Sequence, residues 1–436
     1  MSISEYLSAS ESSILSPILS EFKHDVIVYK YPLNPVVEAA KKIWERQDKI
    51  VVFHVDGSSI PVVSNIVTRW RLLRILNARS DVEAYKKLVH ALNNPRKIGE
   101  GSLKNHPFNK VKSLTSIPIL KFYPKDAGRY ITSAIVIGRD PELGYLNASI
   151  HRLLVIDEST MVIRIVPRHL HTMLMKYKRM GKKMPISIAI TVHPIVLLAS
   201  ASSPPYGVFE LEVANTLLNG ILEVDYSLGD EVPILLNADI VMKAYIDPQL
   251  YVDEGPFVDI LGIYDIVRKQ PIVKVEEIYV REGGFYHTIL PGGIEHKVLM
   301  GFPREAVIWD SVSRVVSEVK SVRLTPGSGS WLHAVISIKK RSEGEGKNAI
   351  LAAFAAHPSL KHVIVVDDDI DIDNPDEIEW ALATRFRADR DLIIINYVKG
   401  STLDPTSENG LTSKMGIDAT KPLDKDPTYF EKAKFD

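Results

Sequence analysis

Apolar and polar positions follow two different patterns along the chain. In about the first hundred residues, and again in the last third, short apolar runs alternate with longer stretches whose apolar residues recur every three or four positions. This alternation is typical of strands and helices in α/β units. Between Ile117 and about Met300, short apolar runs are separated by Pro and Gly, which favours a β-barrel or sandwich. We therefore predict an α+β protein with domains at 1–110, 111–302 and 303–436.

Individual elements follow from the same pattern. The predicted helices are 2–22, 36–47, 62–76, 81–93, 169–180, 209–219, 306–319, 347–356 and 376–387. The predicted strands are 25–29, 49–55, 131–137, 152–156, 162–166, 186–191, 232–238, 239–245, 273–281, 332–338, 362–366 and 391–396. The segment after Val398 has no sustained pattern, so we expect it to be rich in loops.

Composition narrows the class of protein. The chain has 436 residues, 45% hydrophobic and 25% charged, which describes a globular protein too long for one ordinary core. A formal net charge of −1 gives no general attraction to nucleic acid or to a membrane surface. The sequence has no long apolar run and no signal-like start, so we expect a cytoplasmic protein. The absence of cysteine excludes disulfides, thiolate nucleophiles and Cys-ligated metals.

A turn with the sequence Glu254-Gly255-Pro256-Phe257-Val258-Asp259 places two carboxylates five residues apart. Gly and Pro both disfavour the middle of a regular element, so a rigid turn would hold Glu254 and Asp259 at a fixed separation. Paired carboxylates can divide into an acid and a base when their environments separate their pKa values. The alternative is a solvated acidic turn without chemistry.

Two further groups of residues could bind or react. Asn147 and Arg152 are five residues apart at a predicted barrel strand, although Arg152 alone could be a salt-bridging surface residue. Pro167-Arg168-His169 and Glu210 add an imidazole and a carboxylate. Amide, imidazole and carboxylate groups suit Mg²⁺ or Mn²⁺. The alternatives are a helix-capping His169 and a solvated Glu210.

An acidic run from Asp367 to Asp373 follows a predicted strand. A strand ending in Asp-x-Asp could hold a metal and a diphosphate in a nucleotide-sugar glycosyltransferase, with Asp367 and Asp369 as ligands. A calcium loop is excluded, because the sixth position from Asp369 is Asn374 rather than Gly. The structural alternative is a charged rim in which Asp373 caps the next helix.

Together these groups resemble the UbiD family of (de)carboxylases, which use prenylated flavin mononucleotide. The resemblance runs from about Ile117 to Asp418. The motifs that carry it, in chain order, are Asn147 with Arg152 and Asp157, Pro167-Arg168-His169, Glu210 with Ala214, the turn from Glu254 to Asp259, the Asp367–Asp371 strand end with Trp380–Arg385, and Lys414–Thr420. Each motif is weak alone, whereas all of them in this order are specific.

The resemblance implies roles for individual residues. Asn147, His169 and Glu210 would hold Mn²⁺ (or Mg²⁺) that bridges to the flavin phosphate, and Arg152, Glu254 and Asp259 would form the catalytic network. The remaining implied cofactor-binding residues are Ser149, Ile150, Arg168, Ser200, Ala201, Ser202 and Lys414, with K⁺ beside 199–202. In the family, an unsaturated acid loses carbon dioxide, and an acidic residue, here Asp259, protonates the resulting carbon. Arg168 departs from the family pattern, in which a neutral Gln is common.

The resemblance also implies an architecture and partners. The central domain would be a split β-barrel that binds flavin, and the C-terminal α/β domain would mediate a homodimer or a higher homo-oligomer. A flavin prenyltransferase would supply the cofactor, and neither nucleic acid nor membrane would be a partner. A short, cysteine-free chain is similar to archaeal members that decarboxylate trans-anhydromevalonate 5-phosphate. An aromatic acid such as polyprenyl-4-hydroxybenzoate is the alternative substrate.

The sequence leaves two points open. A flavin-binding or scaffolding homologue without activity would not need Arg152, Glu254 and Asp259 together. The basic stretch 168–183 is either a solvated helix face or a surface that attracts an anionic substrate.

Overall fold

The computed structural model describes residues 3–227 and 231–433. Its α-helices are α1 (Ile3–Ala9), α2 (Ser16–Glu21), α3 (Glu38–Glu45), α4 (Arg69–Ile75), α5 (Asp81–Asn93), α6 (His169–Arg179), α7 (Pro194–Ser202), α8 (Glu210–Leu217), α9 (Ile294–Val312), α10 (Glu345–Ala356), α11 (Pro375–Arg385) and α12 (Ala388–Asp391). Its strands in the first half are β1 (Val26–Val28), β2 (Ile50–Phe53), β3 (Val62–Ser64), β4 (Gly99–Glu100), β5 (Phe108–Val111), β6 (Tyr130–Arg139), β7 (Leu146–Val155), β8 (Thr160–Ile163) and β9 (Met184–Val192). The remaining strands are β10 (Glu223–Asp225), β11 (Ile234–Leu235), β12 (Ala238–Glu254), β13 (Phe257–Val258), β14 (Tyr264–Asp265), β15 (Arg268–Arg281), β16 (Tyr286–His287), β17 (Val319–Leu324), β18 (His333–Ile338), β19 (His362–Asp367), β20 (Leu392–Lys399) and β21 (Leu411–Ala419).

The chain forms two compact units. Unit 1 contains 1–76 and 91–299, and unit 2 contains 77–90 and 300–436. Unit 2 therefore begins with a helical segment that precedes most of unit 1 in the sequence. The predicted division into three domains stays a prediction.

A closed antiparallel barrel forms the centre of unit 1. Its six strands follow the order β12-β9-β6-β7-β8-β15, and β15 pairs again with β12, so the sheet closes. Fully buried aliphatic side chains fill its core, including Val136, Ile188, Met242 and Val273. Closure removes the free sheet edges and fixes where β7 and β12 end. The predicted α+β class with a central barrel is confirmed.

A five-stranded sheet organises unit 2. The order is β17-β18-β19-β21-β20, with β18, β19 and β21 parallel and β20 antiparallel at one edge. Helix α10 packs on β19 and β21. The core includes Ile336, Ile350 and Val363, none of which is exposed. This arrangement is the α/β layer predicted for the last third of the chain.

Several predicted helices were wrong in extent or type. The segment 62–64 is strand β3 rather than the start of a helix, because it pairs with β2 and β16 inside a sheet. The predicted helix 306–319 instead runs from Ile294 to Val312 and contains Pro303, which hid its first turns from a pattern that treats proline as a breaker. The predicted helix 2–22 is two short helices. Helix α7 was missed.

The predicted strands were mostly too short. The predicted strand 152–156 is the end of the ten-residue β7, and 239–245 is part of the 17-residue β12. Of the predicted strand 232–238, only Ile234–Leu235 and the first residue of β12 are extended. Beyond Val398, the chain forms β21 rather than loops alone, because parallel pairing with β19 extends a polar segment that has no pattern of its own. In the described residues, no helix is long and apolar enough to cross a membrane.

Candidate active site

Arg152 lies at the centre of a cluster of carboxylates in unit 1. Its Nε and Nη2 donate to Glu254 Oε1 and Oε2 at 2.9 and 2.8 Å, a bidentate pair. Its Nη1 donates to Asp259 Oδ2 at 3.3 Å, and its Nη2 also donates to Asp265 Oδ2 at 3.1 Å. The structure therefore brings together all three predicted members of the catalytic network. It adds Asp265, which the sequence reasoning did not identify.

Local backbone geometry explains how two of these carboxylates reach one guanidinium. Glu254 is the last residue of β12, and Gly255 follows with a φ of +95°, which L residues with a Cβ rarely adopt. A short strand pair, β13 with β14, then returns the chain, and the Asp259 N–H donates to the Ile263 carbonyl at 3.0 Å. The predicted rigid turn is present.

Glu254 and Asp259 occupy different environments. The Glu254 side chain is fully buried, and its Oε1 also accepts a 3.2 Å hydrogen bond from Tyr130. The Asp259 side chain is 27% exposed and holds Arg152 by one longer contact. The alternative of a solvated turn does not hold for Glu254. Glu254 therefore binds Arg152 out of contact with solvent, whereas Asp259 is partly open to solvent.

Apolar and cationic neighbours complete the cluster. The Arg152 guanidinium lies 4.7 Å from the Phe257 ring centroid, and the Tyr130 ring packs on the same Phe257 at 4.3 Å. Burial alone would lower the pKa of Arg152, but the Glu254 carboxylate outweighs it, so the pKa lies above its ordinary value. Arg152 is therefore charged at every relevant pH.

Asp265 balances two more guanidinium groups. It accepts from Arg268, and Arg164 Nε lies 3.9 Å from its Oδ2. Burial would raise the pKa of Asp265, but Arg268 and Arg152 outweigh it and lower the pKa. In the sequence, Asp265 and Arg268 are marked only by their spacing of three residues. Three guanidinium groups and three carboxylates therefore meet around Arg152, an arrangement that this spacing alone does not predict.

His296 is a further titratable group near Asp259, and it is half-buried. Its Nδ1 accepts a 3.1 Å hydrogen bond from the Gly292 N–H. Burial lowers the pKa of His296, although the negative charge of Asp259 acts to raise it. The imidazole is therefore neutral at pH 7. It lies in the first turn of α9, the part of that helix that the sequence pattern missed.

The three predicted metal ligands lie at the ends of adjoining elements of unit 1. Asn147 is the second residue of β7, while His169 and Glu210 are the first residues of α6 and α8. Glu210 Oε2 accepts a 2.7 Å hydrogen bond from the Ala148 N–H, which ties α8 to β7. The His169 ring packs edge-on against Tyr206 at 5.2 Å.

The chemistry of these donors fits a divalent cation. Glu210 is almost fully buried, and no cationic side chain in the described residues pairs with it. Burial raises the pKa of Glu210 to about 8, and an unpaired buried carboxylate is costly unless it coordinates a metal. Burial also lowers the pKa of His169, which keeps the imidazole neutral, as ligation requires. No set of three His, Asp or Glu side chains in 3–227 and 231–433 could hold a metal, so a cation bound here would need the Asn147 amide as a ligand.

The remaining predicted cofactor residues lie in three places. Ser149 and Ile150 are half-buried on β7, and Arg168 is exposed, with its Nη1 3.2 Å from Ser203 Oγ. Ser200, Ala201 and Ser202 end α7, where the buried Ser200 Oγ has no hydrogen-bond partner among the described residues and Ser202 Oγ donates to the Ala199 carbonyl. Lys414 is buried in unit 2, and its Nζ donates to the carbonyls of Pro358 and Leu360. The roles of all these residues stay predictions.

A network around Asp140 supports the segment that precedes Glu210. Asp140 accepts from Lys176 Nζ at 2.7 Å and from the Tyr206 hydroxyl. Burial alone would raise the pKa of Asp140, but these two donors outweigh it and hold the pKa at about 2. Since Tyr206 packs on His169, the network orients one predicted ligand.

Several basic side chains of α6 contact other side chains of the protein. Lys176 binds Asp140, Arg179 lies 3.5 Å from Glu142, and Lys178 lies over the Tyr251 ring at 4.9 Å. These contacts favour the structural alternative for the basic stretch 168–183.

Ion pairing accounts for the acidic strand end of unit 2. Asp367 and Asp369 accept from Arg385 at 2.7 and 2.8 Å, and Asp369 also binds Lys421 at 2.8 Å. These cations occupy the carboxylates that a glycosyltransferase would use for a metal. The predicted cap was wrong, because Asn374 rather than Asp373 caps α11.

Comparisons with known proteins agree with this geometry. Residues 98–294 match the 3-octaprenyl-4-hydroxybenzoate carboxy-lyase Rift-related domain of the UbiD family, and 297–419 match its C-terminal domain. A protein of Aeropyrum pernix named anhydromevalonate phosphate decarboxylase is 47% identical over 401 residues, 91% of each chain.

Two solved structures are also similar. The UbiD-class enzyme HmfF from Pelotomaculum thermopropionicum, in complex with FMN, gives a TM-score of 0.93 at 38% identity over 97% of both chains. An evolved dimeric form of that enzyme, in complex with prenylated FMN, gives 0.88 at 36% identity over 95% of this chain and 96% of that one. With two family domains matched and a relative that is 47% identical over 91% of both chains, the chain belongs to the UbiD family of carboxy-lyases.

Proposed function

We propose that this protein is a prenylated-FMN-dependent decarboxylase of anhydromevalonate phosphate. The observation that carries the proposal is Arg152 bound at once to the buried Glu254 and to the more accessible Asp259. A permanent cation orients a substrate carboxylate, and a nearby acid delivers the proton that replaces carbon dioxide. When bound, prenylated FMN supplies the electron sink for the loss of carbon dioxide.

The surroundings of Arg152, Glu254 and Asp259 suit each residue to a different role. Arg152 faces the carboxylate of the substrate through Nη1, the donor that holds Asp259 only weakly. Glu254 fixes the orientation of Arg152 through two short hydrogen bonds, and Tyr130 holds Glu254 in turn. Asp259 carries the proton to the substrate carbon. Phe257 keeps water from one face of the guanidinium.

The cofactor site would use the second cluster. Asn147, His169 and Glu210 would hold Mn²⁺ or Mg²⁺ next to the flavin phosphate, a role that the unpaired buried carboxylate of Glu210 supports. The buried Ser200 hydroxyl, which has no partner in the described part of the chain, supports a K⁺ site at the end of α7. A flavin prenyltransferase would supply the cofactor in the cytoplasm.

The choice of substrate rests on the Aeropyrum pernix relative and on local charge. At 47% identity across 91% of both chains, a shared substrate is the simplest expectation. Arg164 and Arg268 lie beside Arg152. Among the described residues, the one carboxylate partner of Arg164 is Asp265, and it lies as far away as 3.9 Å. A phosphate group needs such cations, whereas an aryl group needs an apolar slot.

A decarboxylation assay tests the proposal. Protein co-expressed with a flavin prenyltransferase should retain prenylated FMN and Mn²⁺ and should convert trans-anhydromevalonate 5-phosphate to isopentenyl phosphate. The same acid without its phosphate should have a much higher KM. Arg164→Met should remove most of that difference, while Arg179→Met, at an exposed position of α6, should not. Turnover of cinnamate-like acids alone would contradict the proposed substrate.

A further inference from the structure

Three polar side chains on β7 form a hydrogen-bond chain that ends at Asn147. Asn147 Nδ2 lies 3.1 Å from Ser149 Oγ, and Ser149 Oγ lies 2.9 Å from His151 Nε2. His151 Nδ1 lies 2.9 Å from the carbonyl oxygen of Arg164, next to the end of β8. Residues two apart on a strand share a face, so the spacing of these residues lines them up.

The direction of each hydrogen bond follows from the last acceptor. The carbonyl of Arg164 can only accept, so His151 Nδ1 carries the hydrogen. Burial lowers the pKa of His151 to about 4, so the ring is neutral at pH 7 and Nε2 presents a lone pair. The hydroxyl hydrogen of Ser149 is therefore donated to His151, and Ser149 can offer only a lone pair to residue 147.

This chain of hydrogen bonds determines which end of the Asn147 amide faces the proposed cation site. The two ends of an amide group are nearly the same in shape and opposite in hydrogen-bonding character. We propose that Ser149 and His151 are positioning residues that hold the NH₂ of Asn147 towards Ser149 and so present Oδ1 to the divalent cation. In the described residues, no hydrogen bond occupies that oxygen.

The inference rests on the proposed metal role of Asn147 and extends it to two residues behind the ligand. A flipped amide would direct two N–H groups at the cation and repel it. Residues that orient metal ligands typically contribute about 10- to 100-fold to metal affinity. His151 belongs to none of the predicted sites, so its effect on metal binding would come only through the hydrogen bonds that link His151 to Ser149 and Ser149 to Asn147.

The test measures binding rather than turnover. The full-length protein is titrated with FMN in the presence of excess Mn²⁺, and the electron paramagnetic resonance spectrum of Mn²⁺ is recorded. Ser149→Ala and His151→Leu should each weaken FMN and Mn²⁺ binding about 10-fold or more. Ser149→Thr, which keeps the hydroxyl on a strand-favouring residue, should bind nearly as the parent protein does.

The controls separate this inference from the proposed function. Ser133→Ala removes another buried hydroxyl of the barrel, bound to the His287 carbonyl at 2.5 Å, and should leave FMN and Mn²⁺ binding unchanged. Parent-like binding by Ser149→Ala and His151→Leu, with loss in Asn147→Ala, would overturn the positioning role alone. Parent-like binding by Asn147→Ala would instead remove the metal role itself. Equal weakening by Ser149→Thr and Ser149→Ala would also overturn the inference, because the hydroxyl would then have no effect.

Discussion

At the scale of single residues, Asp259 is the group whose surroundings suit proton transfer. It is more exposed than Glu254 and is bound to Arg152 by one contact at 3.3 Å. Asp259→Asn should retain cofactor and metal but reduce kcat by at least about 10²-fold, because an amide cannot deliver the proton. Cofactor content from the absorbance spectrum and turnover of the same sample check this expectation.

Asp253→Asn is the matched control for that substitution. Asp253 lies one residue before Glu254, and its side chain is 63% exposed in a surface ion pair with Lys269. Its loss should leave kcat unchanged. Near-normal turnover in Asp259→Asn would assign the proton to another group.

Glu210 is the buried carboxylate among the three proposed metal ligands. Glu210→Gln keeps an oxygen that can accept from the Ala148 N–H but removes the charge. We expect at least about a 10-fold loss in retained Mn²⁺ and flavin, measured by metal analysis and absorbance. Without metal and above pH 8, where the parent carboxyl loses its proton, the variant should melt no lower than the parent protein, because it carries no unpaired buried charge.

The same helix offers a control for Glu210. Glu212 is two residues further along α8 and only half-buried. Glu212→Gln should retain metal and flavin. Full retention by Glu210→Gln as well would count against the metal site.

The sequence predicted three members of the Arg152 cluster better than it predicted their neighbours. Arg152, Glu254 and Asp259 were identified because a family motif and a Gly-Pro turn mark them, and the structure brings them together. Asp265 carries no motif. The β13–β14 hairpin that carries it is local, but its contact with Arg152 spans 113 residues and has no local pattern in the sequence.

At the scale of elements, Asp140 joins β6 to α6 through Lys176. Its pKa is about 2 in the folded protein against an ordinary value of 3.8, so it stabilises the fold by about 2 kcal/mol above pH 4. The folded pKa is the lower one, so this contribution is lost as pH falls from about 4 through 2. Asp140→Asn should lower the urea midpoint at pH 6, and the difference from the parent should narrow below pH 4.

Glu142 provides the comparison at the same lysine. Its carboxylate is 52% exposed and lies 3.0 Å from Lys176. Glu142→Gln should change the urea midpoint little at any pH, because exposed ion pairs contribute little. An equal effect of the two substitutions would show that burial is not what makes Asp140 important.

The elements that sequence patterns predicted well are those with a strong internal period. Helices α5 and α10 and strand β19 lie within a few residues of their predicted bounds. Two of the failures have a common cause, which is that pairing with other strands determines the structure. The segment 62–64 became a strand by pairing with β2 and β16, and 411–419 by pairing with β19 and β20.

At the scale of the whole molecule, β20 is the feature that bears on the predicted homo-oligomer. It is an edge strand of the unit 2 sheet and exposes Ile394 at 58% and Tyr397 at 82%. Exposed apolar edge strands tend to pair with another chain. Ile394→Lys should lower the mass measured by light scattering, if β20 is where copies meet. Ile263→Lys, at a similarly exposed position of unit 1, should not lower it, and an unchanged mass in Ile394→Lys would exclude this edge.

The division of unit 2 in the sequence has a consequence for synthesis on the ribosome. Helix α5 emerges early, but the Tyr85 hydroxyl binds Glu305 and the Val322 carbonyl, and the first of these contacts spans 220 residues. At about 5–20 residues per second, this part of α5 waits roughly 10–40 s for its partners, while most of unit 1 is being made. A nascent chain that stops near residue 299 would contain the complete barrel and would leave one helix without its partners.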